Sequence, residues 1–269
     1  MTQTTTLPEL LRHARRDQRL SQLELSLAIG VSTRHLGFVE VGRSRPGRAL
    51  LMRWLERLEV PLGARNEALR LAGYASAYDD SPLDAPSLDE ARRALSHLLT
   101  AHAPLPGVVL NEDWDVVAGN EGFLWLARAA GATVELPTMG PDGEPTFPGP
   151  NLVDLVLAPG GLGSALLNMM EVAPAVLQHL RRDALTNPRL EAAVARVAAL
   201  VPDIPPPATL PPTLITRYAT TFGELAFLSM FTTFGTPQSI SLASLRVELL
   251  FPADDHTRRV TAGRGRVAG

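Results

Sequence analysis

The chain of 269 residues contains neither cysteine nor lysine. Without cysteine there are no disulfides and no thiolate metal sites. All 25 basic residues are arginine, a bias that a GC-rich coding sequence is enough to explain. Aromatic residues are only 5% of the chain, yet hydrophobic residues reach 45%, so a core must be built mainly from Leu, Ala and Val. No run of 18 or more uninterrupted apolar residues occurs, so no membrane span is expected. The opening MTQTTTLPELLRHARR has no apolar stretch of the secretory kind, and a cytoplasmic location is the expectation. The six histidines show no HExxH or other metal spacing, and GGLGSALL is neither a phosphate loop nor a nucleophile elbow. Paired acids fall on amphipathic stretches, where a solvated face explains them. Neither catalytic residues, nor a metal, nor a cofactor is expected, and the chain does not read as an enzyme.

Charge is unevenly spread. Residues 1–75 carry 12 Arg against 7 Asp or Glu, a net of +5, while the whole chain is −3 and the remainder therefore −8. A basic module that meets a polyanion, followed by an acidic module that does not, fits this asymmetry.

The basic module is punctuated at short intervals. Leu7, Leu10, Leu11, Ala14 and Leu20 recur at helical spacing after Pro8, which suits a first turn. Ser21 and Glu24 form a capping box ahead of QLELSLAI, whose buried side is read as Leu25, Ala28 and Ile29. Gly30 stops that helix, Val31 turns inward, and Ser32 caps a third helix, TRHLGFVEV, with Leu36 and Val39 inside. Two short helices joined by a tight glycine turn make a helix-turn-helix, with Ser26 at their close crossing. Two more helices follow, RALLMRWLERL with Leu50, Leu51, Trp54, Leu55 and Leu58 inside, and ARNEALRLAGY with Leu69, Ala72 or Leu71, and Tyr74. A generic helical bundle would leave unexplained why Thr33, Arg34, His35 and Phe38 share the outer face of the third helix.

The pattern SQxELxxxxGVSxxxLxxxExGRxxP, from Ser21 to Pro46, resembles the XRE/Cro-type helix-turn-helix repressors. In such folds the second helix of the motif enters the major groove N-terminal end first. Thr33, Arg34 and Phe38 then reach base edges, Arg bridging guanine and Thr or Phe touching a thymine methyl. His35 and Ser32 stand beside them, and Gln22, Arg43 and Arg45 are placed on phosphates. The resemblance also implies a structural ion pair between Arg15 and Glu40. Gly37, in mid-helix, has no reason the sequence supplies.

YDDSPLDAPS, residues 78–87, is acidic and proline-rich and reads as a linker. An amphipathic helix follows, with Leu88, Ala91, Leu95, Leu98 and Leu99 inward. VVL and DVVAG flank Asn111, Glu112 and Asp113 as a hairpin, and Asn120 caps the helix EGFLWLARAA, an order similar to the entrance of a PAS domain. PTMGPDGEPTFPGP is an irregular loop. NLVDLVLAPGGLGSALLNMMEVAPAVLQHLRRDA gives helical pieces broken at 159–161, LEAAVARVAALV is another helix, and VPDIPPPATLPP cannot be helical. Three strands close the chain: TLITRYA, ELAFLSMFTTF and SLRVELLFPAD. The middle one is apolar on both faces, as a central or cavity-bordering strand is.

Together, these blocks resemble the MmyB-like transcriptional regulators, an XRE helix-turn-helix followed by a PAS-like ligand-binding domain, over roughly residues 7–255. Met169 in NMMEVA departs from the Trp usual in relatives, which bears on pocket shape. The expected architecture is multi-domain: an all-α five-helix domain at 1–78, a linker and connecting helix at 79–103, an α+β PAS-like domain with an antiparallel sheet at 104–255, and a tail at 256–269. The resemblance implies sequence-specific binding to double-stranded DNA as a homodimer and sensing of a small apolar molecule, fatty-acid-like or similar, with no membrane partner. The alternative is a second domain that serves only dimerisation or protein contact. Phe123, Trp125, Met169, Met170, Phe227, Met230 and Phe234 are the candidate pocket liners. A PAS-like domain can in principle hold haem or flavin; haem would bind through His97 or His102, and flavin photochemistry would need the absent cysteine.

Overall fold

The computed structural model describes residues 6–133, 135, 137–138, 149–157, 160–184, 187–201, 213–235 and 237–264. Most of the irregular loop expected at 137–150, and the proline-rich stretch at 202–212, lie outside the described residues. In chain order the elements are α1 Leu7–Asp17, α2 Gln22–Ile29, α3 Thr33–Glu40, α4 Arg48–Arg57, α5 Leu62–Leu71, α6 Asp89–His102, β1 Gly107–Leu110, β2 Val116–Gly119, α7 Glu121–Ala129, α8 Leu152–Leu157, α9 Met169–Ala184, α10 Glu191–Ala198, β3 Ile215–Thr220, β4 Gly223–Thr232, α11 Ile240–Ser244, β5 Arg246–Pro252 and α12 Asp255–Arg264. They divide into two compact units. The first comprises the residues up to Ser81 together with Pro237–Ala243, and the second holds Pro82–Thr236 and the residues from Ser244 onward.

In the first unit five short helices close over Leu11, Leu25, Leu36, Leu51, Trp54, Leu55 and Leu69, all fully buried. Thr6 and Ser21 each form a reciprocal capping box, with Glu9 and Glu24, and so satisfy N–H groups the helices cannot. Gly30 adopts the left-handed conformation at the end of α2 (φ 71°), where a side chain would be strained. Ala28 is exposed rather than buried; Ser26 takes the inward place between Leu25 and Ile29. The stretch expected to be a linker begins inside this unit. Asn66 accepts the N–H groups of Ala77 and Tyr78 at 2.9 and 3.1 Å, and Asp79 bridges Ser239. Residues 237–243 fall between β4 and β5 in the chain yet fold here: Asp79 N donates to Gln238 O, Ile240 N to Asp79 O, and Ser241 Oγ to Ser81 O.

The second unit is an antiparallel five-stranded sheet in the order β2-β1-β5-β4-β3, with helices packed against it. The sequence-late strand β5 lies in the middle because it pairs with both β1 and β4. Asn111 makes the hairpin turn by accepting the N–H groups of Asp113 and Asp115. Asn120 does more than cap α7: its Oδ1 accepts from Phe123 N and Gly107 N, and its Nδ2 donates to Leu99 O and Leu105 O, so one buried amide ties α6, β1 and α7. The residues expected to form a tail from 256 are instead helical to 264. Thr257 of α12 is fully buried and accepts the N–H of Ala226. Two core groups build one side of the sheet, Phe123, Ala127, Leu155 and Leu162 with β1 and β2, and Leu177, Leu180, Leu190, Ala193 and Val197 around Trp114.

At the start of α7, a Cβ on Gly122 would stand 2.5 Å from the carbonyl oxygens of both Pro104 and Leu105. Backbone cannot yield as a side chain can. Gly122→Ala should therefore destabilise the second unit by about 1–3 kcal/mol, the usual cost of overpacking, seen as a lowered urea midpoint; an unchanged midpoint would mean the 104–105 backbone moves freely.

Candidate nucleic-acid interface and candidate ligand cavity

The helix-turn-helix is held by one carboxylate. Glu40, at the end of α3, is 1% exposed. Arg15 of α1 meets it side-on, Nε to Oε1 at 2.7 Å and Nη2 to Oε2 at 2.8 Å, and Gln22 of α2 donates to Oε2 at 2.8 Å. Arg15 also binds Leu20 O, and Arg12 binds the Glu40 backbone carbonyl. Burial pushes the Glu40 carboxyl up, but the hydrogen bonds from Arg15 and Gln22 and the charges of Arg15 and Arg12 outweigh it and hold it below its ordinary 4.5. The cluster fixes α1, α2 and α3 against one another.

Around this anchor the candidate DNA residues fall into distinct groups. Thr33 and Arg34 are exposed, and His35 and Phe38 are half-buried on the same helix. Arg34 lies over the Phe38 ring at 5.3 Å, one turn along α3. The Thr33 hydroxyl sits 3.0 Å from Ser26 Oγ, so its methyl is the part left to face outward. Ser32 caps α3 through the His35 N–H. The Gln22 amide places one of its two N–H donors on Glu40. Arg43 is exposed; Arg45 rests on the Tyr74 ring at 4.9 Å. A Cβ on Gly37 would meet Gln22 Oε1 at 3.7 Å, an ordinary contact, so sterics do not explain that glycine.

The second unit holds a partly open cavity of about 410 Å3. It is bounded by Leu152, Val153 and Val156 of α8, by Val172, Ala173, Val176 and His179 of α9, and by β3, β4 and β5 through Tyr218, Ser229 and Glu248. Of the seven candidate liners, Phe123 and Met169 border it. The rest lie elsewhere for reasons of register. Phe227 shares the sheet face of Ser229 and Phe231 but lies one step farther along β4, fully buried with Leu126, Leu225 and Leu250. Met230 faces the other way and is 55% exposed; Met170 is 58% exposed on the outer side of α9. Trp125 packs on Phe222, with ring centres 5.4 Å apart. Phe234 borders a separate space of about 100 Å3 beside Leu95 and Leu98.

The polar lining escaped sequence reading. Glu248 accepts the Ser229 hydroxyl at 2.6 Å, and burial pushes its carboxyl up against that hydrogen bond. Burial likewise holds the Tyr218 phenol protonated and, together with the Arg182 charge, lowers His179. The available signal was RVELLFP, an acid in a strand that proves to be the central one. Its alternation with Arg246 reads as an ordinary solvated face. His97 and His102 do not border this cavity; His102 contacts Leu250 O and the Phe251 ring.

A recognition helix on a basic helical domain, joined to an α+β domain with a largely apolar cavity, defines a helix-turn-helix transcriptional regulator. Residues 11–64 match the helix-turn-helix family model, and residues 91–262, well over half the chain, match the MmyB-like transcription regulator ligand binding domain. The chain belongs to the MmyB-like transcription regulators, and its partner is DNA. Comparison with curated proteins gave no match. Among solved structures, an RNA-binding Light-Oxygen-Voltage receptor aligns over 99% of this chain and 69% of its own at 11% identity, with a TM-score of 0.26 that supports no inference. Among the described residues no helix is long and apolar enough to cross a membrane.

Arg15→Ala strands a buried carboxylate, a loss of roughly 3–5 kcal/mol against about 0–1 for an exposed pair. Hydrogen exchange of the α1–α3 amides under mild denaturant should show it, and exchange unchanged within error would refute it. The stability that Glu40 contributes is full above pH 4.5 and should be lost as pH falls through its lowered value.

Proposed function

We propose that this regulator works as a homodimer on a two-fold symmetric operator and that an apolar small molecule in the cavity of the second unit changes its affinity for DNA. The cavity carries the reading. About 410 Å3 bordered mainly by aliphatic side chains falls within the range of small-molecule sites, roughly 300–1,000 Å3. Connectivity supports a link to DNA: β4 and β5, which both border the cavity, are joined through residues 237–243, which fold with the helix-turn-helix unit. A ligand shifts DNA affinity only by binding one arrangement better than another. One recognition helix on a domain of net +5 binds weakly alone, so the dimer supplies specificity, with half-sites about 10 bp or a multiple apart.

On the DNA side, Arg34 is assigned to a base edge and Arg43 to phosphate. Arg34→Ala should cost about 1–3 kcal/mol and relax preference at one base pair. Arg43→Ala should weaken all sequences alike and flatten the salt dependence. Indistinguishable behaviour of the two across an operator library would overturn the assignment.

On the sensor side, filling the cavity with Val176→Trp or Ala173→Trp should abolish the response to an extracted apolar ligand in gel-shift titrations while operator binding persists in one fixed state. A folded variant that still responds would place sensing elsewhere, and leave the second unit a dimerisation module.

A further inference from the structure

The cavity has an apolar body but an uneven polar end. Its ionisable lining consists of Glu248 on β5, Tyr218 on β3, and Glu171 and His179 on α9; β4 contributes only Ser229 and apolar side chains. Glu248 takes one hydrogen bond, from Ser229 to Oε1, and no described group donates to its other oxygen. No arginine is among the described lining residues, and the chain has no lysine to offer. Arg246, two residues before Glu248 on the same strand face, is held away by Asp183 at 2.6 Å and by the Trp114 ring at 5.4 Å. On the neighbouring strand β1, Glu248 is opposed by Val108. His179, pushed toward neutrality by burial and by the charge of Arg182 beside it, brings no fixed cation. An anionic head group would thus enter beside a carboxyl with no arginine in the described lining to pair with it, the nearby charges of Arg182 and Arg246 lying behind His179 and Trp114, whereas a cation would find a carboxyl with a spare oxygen.

We propose that the cavity takes an apolar molecule carrying one basic amine, whose ammonium pairs with the Glu248 carboxylate, and that it discriminates against the matching carboxylate. This rests on the cavity being a ligand site. It keeps the apolar body expected from the sequence and reverses the head group of a fatty-acid-like ligand. In the empty cavity the carboxyl is held protonated over a wider range than usual, by burial. Pairing with an ammonium ionises it, so its proton leaves for solvent as the ligand enters.

The test is isothermal titration of the full-length protein with dodecylamine, dodecan-1-ol and sodium dodecanoate. Each is kept below its aggregation limit at pH 6, in two buffers of different ionisation enthalpy. Dodecylamine should bind at least tenfold more tightly than dodecanoate and release a proton to the buffer. Glu248→Gln should remove both the preference and the proton release while binding dodecan-1-ol as before. Glu248→Met, of similar volume, should do the same and guards against a misfolded Gln variant. Dodecanoate binding as tightly as the amine, or an unchanged preference in folded Gln and Met variants, overturns the inference while leaving the ligand site standing. If none of the three probes binds, the cavity is not a ligand site and both readings fall.

Discussion

The helix-turn-helix depends on a buried carboxylate at the end of its recognition helix. Glu40 could not stay ionised at 1% exposure without the side-on guanidinium of Arg15 and the amide of Gln22. Those partners come from α1 and α2, so the same bonds that make the charge tolerable also set the angle of α3. An apolar contact would allow small rotations; a carboxylate held by three hydrogen bonds of fixed geometry does not. The outward residues of α3 are useful only because this inward one is fixed. Thr33 and Arg34 gain direction through contacts of their own, with Ser26 and Phe38.

The second unit treats a buried acid in the opposite way. Glu248 receives a single neutral donor and no cation from its described surroundings, and burial pushes its carboxyl above the usual carboxylate range. One chain thus holds two sequestered carboxylates whose surroundings shift them in opposite directions. A fully bonded anion is a fixed part of the architecture, whereas a half-satisfied acid beside an open volume is a poor structural element. It costs stability whenever it ionises without a partner. Its place in the central strand, facing the cavity, makes sense if something that enters the cavity completes it.

Much of the first unit was legible because its signals are local. Capping boxes at Ser21 and Glu24, the left-handed turn at Gly30 and the helical spacing of Leu25, Leu36 and Val39 are each decided within a few residues. The hairpin at Asn111 and the cap at Asn120 were readable for the same reason. The cavity was not, because it is decided by register between strands far apart in sequence. Phe227 and Met230 are attractive liners by composition, yet one lies a step too far along the correct face and the other is on the wrong face. A one-residue change of phase decides which side of a sheet a side chain serves. Ala28 and Ser26 show the same limit on a helix: hydrophobicity favoured the alanine, and the close crossing took the serine because its hydroxyl could bind Leu23 O and Thr33.

The passage of 237–243 into the first unit was equally invisible, since it looks like any connection between two strands. Its consequence lies in connectivity. β4 contributes Ser229 to the polar end of the cavity and β5 contributes Glu248, and the chain between them passes through the DNA-binding unit, where the Asp79 backbone pairs with Gln238 and Ile240 and the Ser241 hydroxyl donates to Ser81 O. A change in the pairing of Ser229 with Glu248 acts on the two strands whose ends that segment joins. The covalent path from cavity to helix-turn-helix therefore runs twice, once through 81–82 and once through the β4–β5 connection. A single tether passes on little of a domain's internal state. Two covalent connections thus join the units, one of them between adjacent strands of the same cavity wall, and a ligand alters DNA affinity only if it binds one state of the protein better than another.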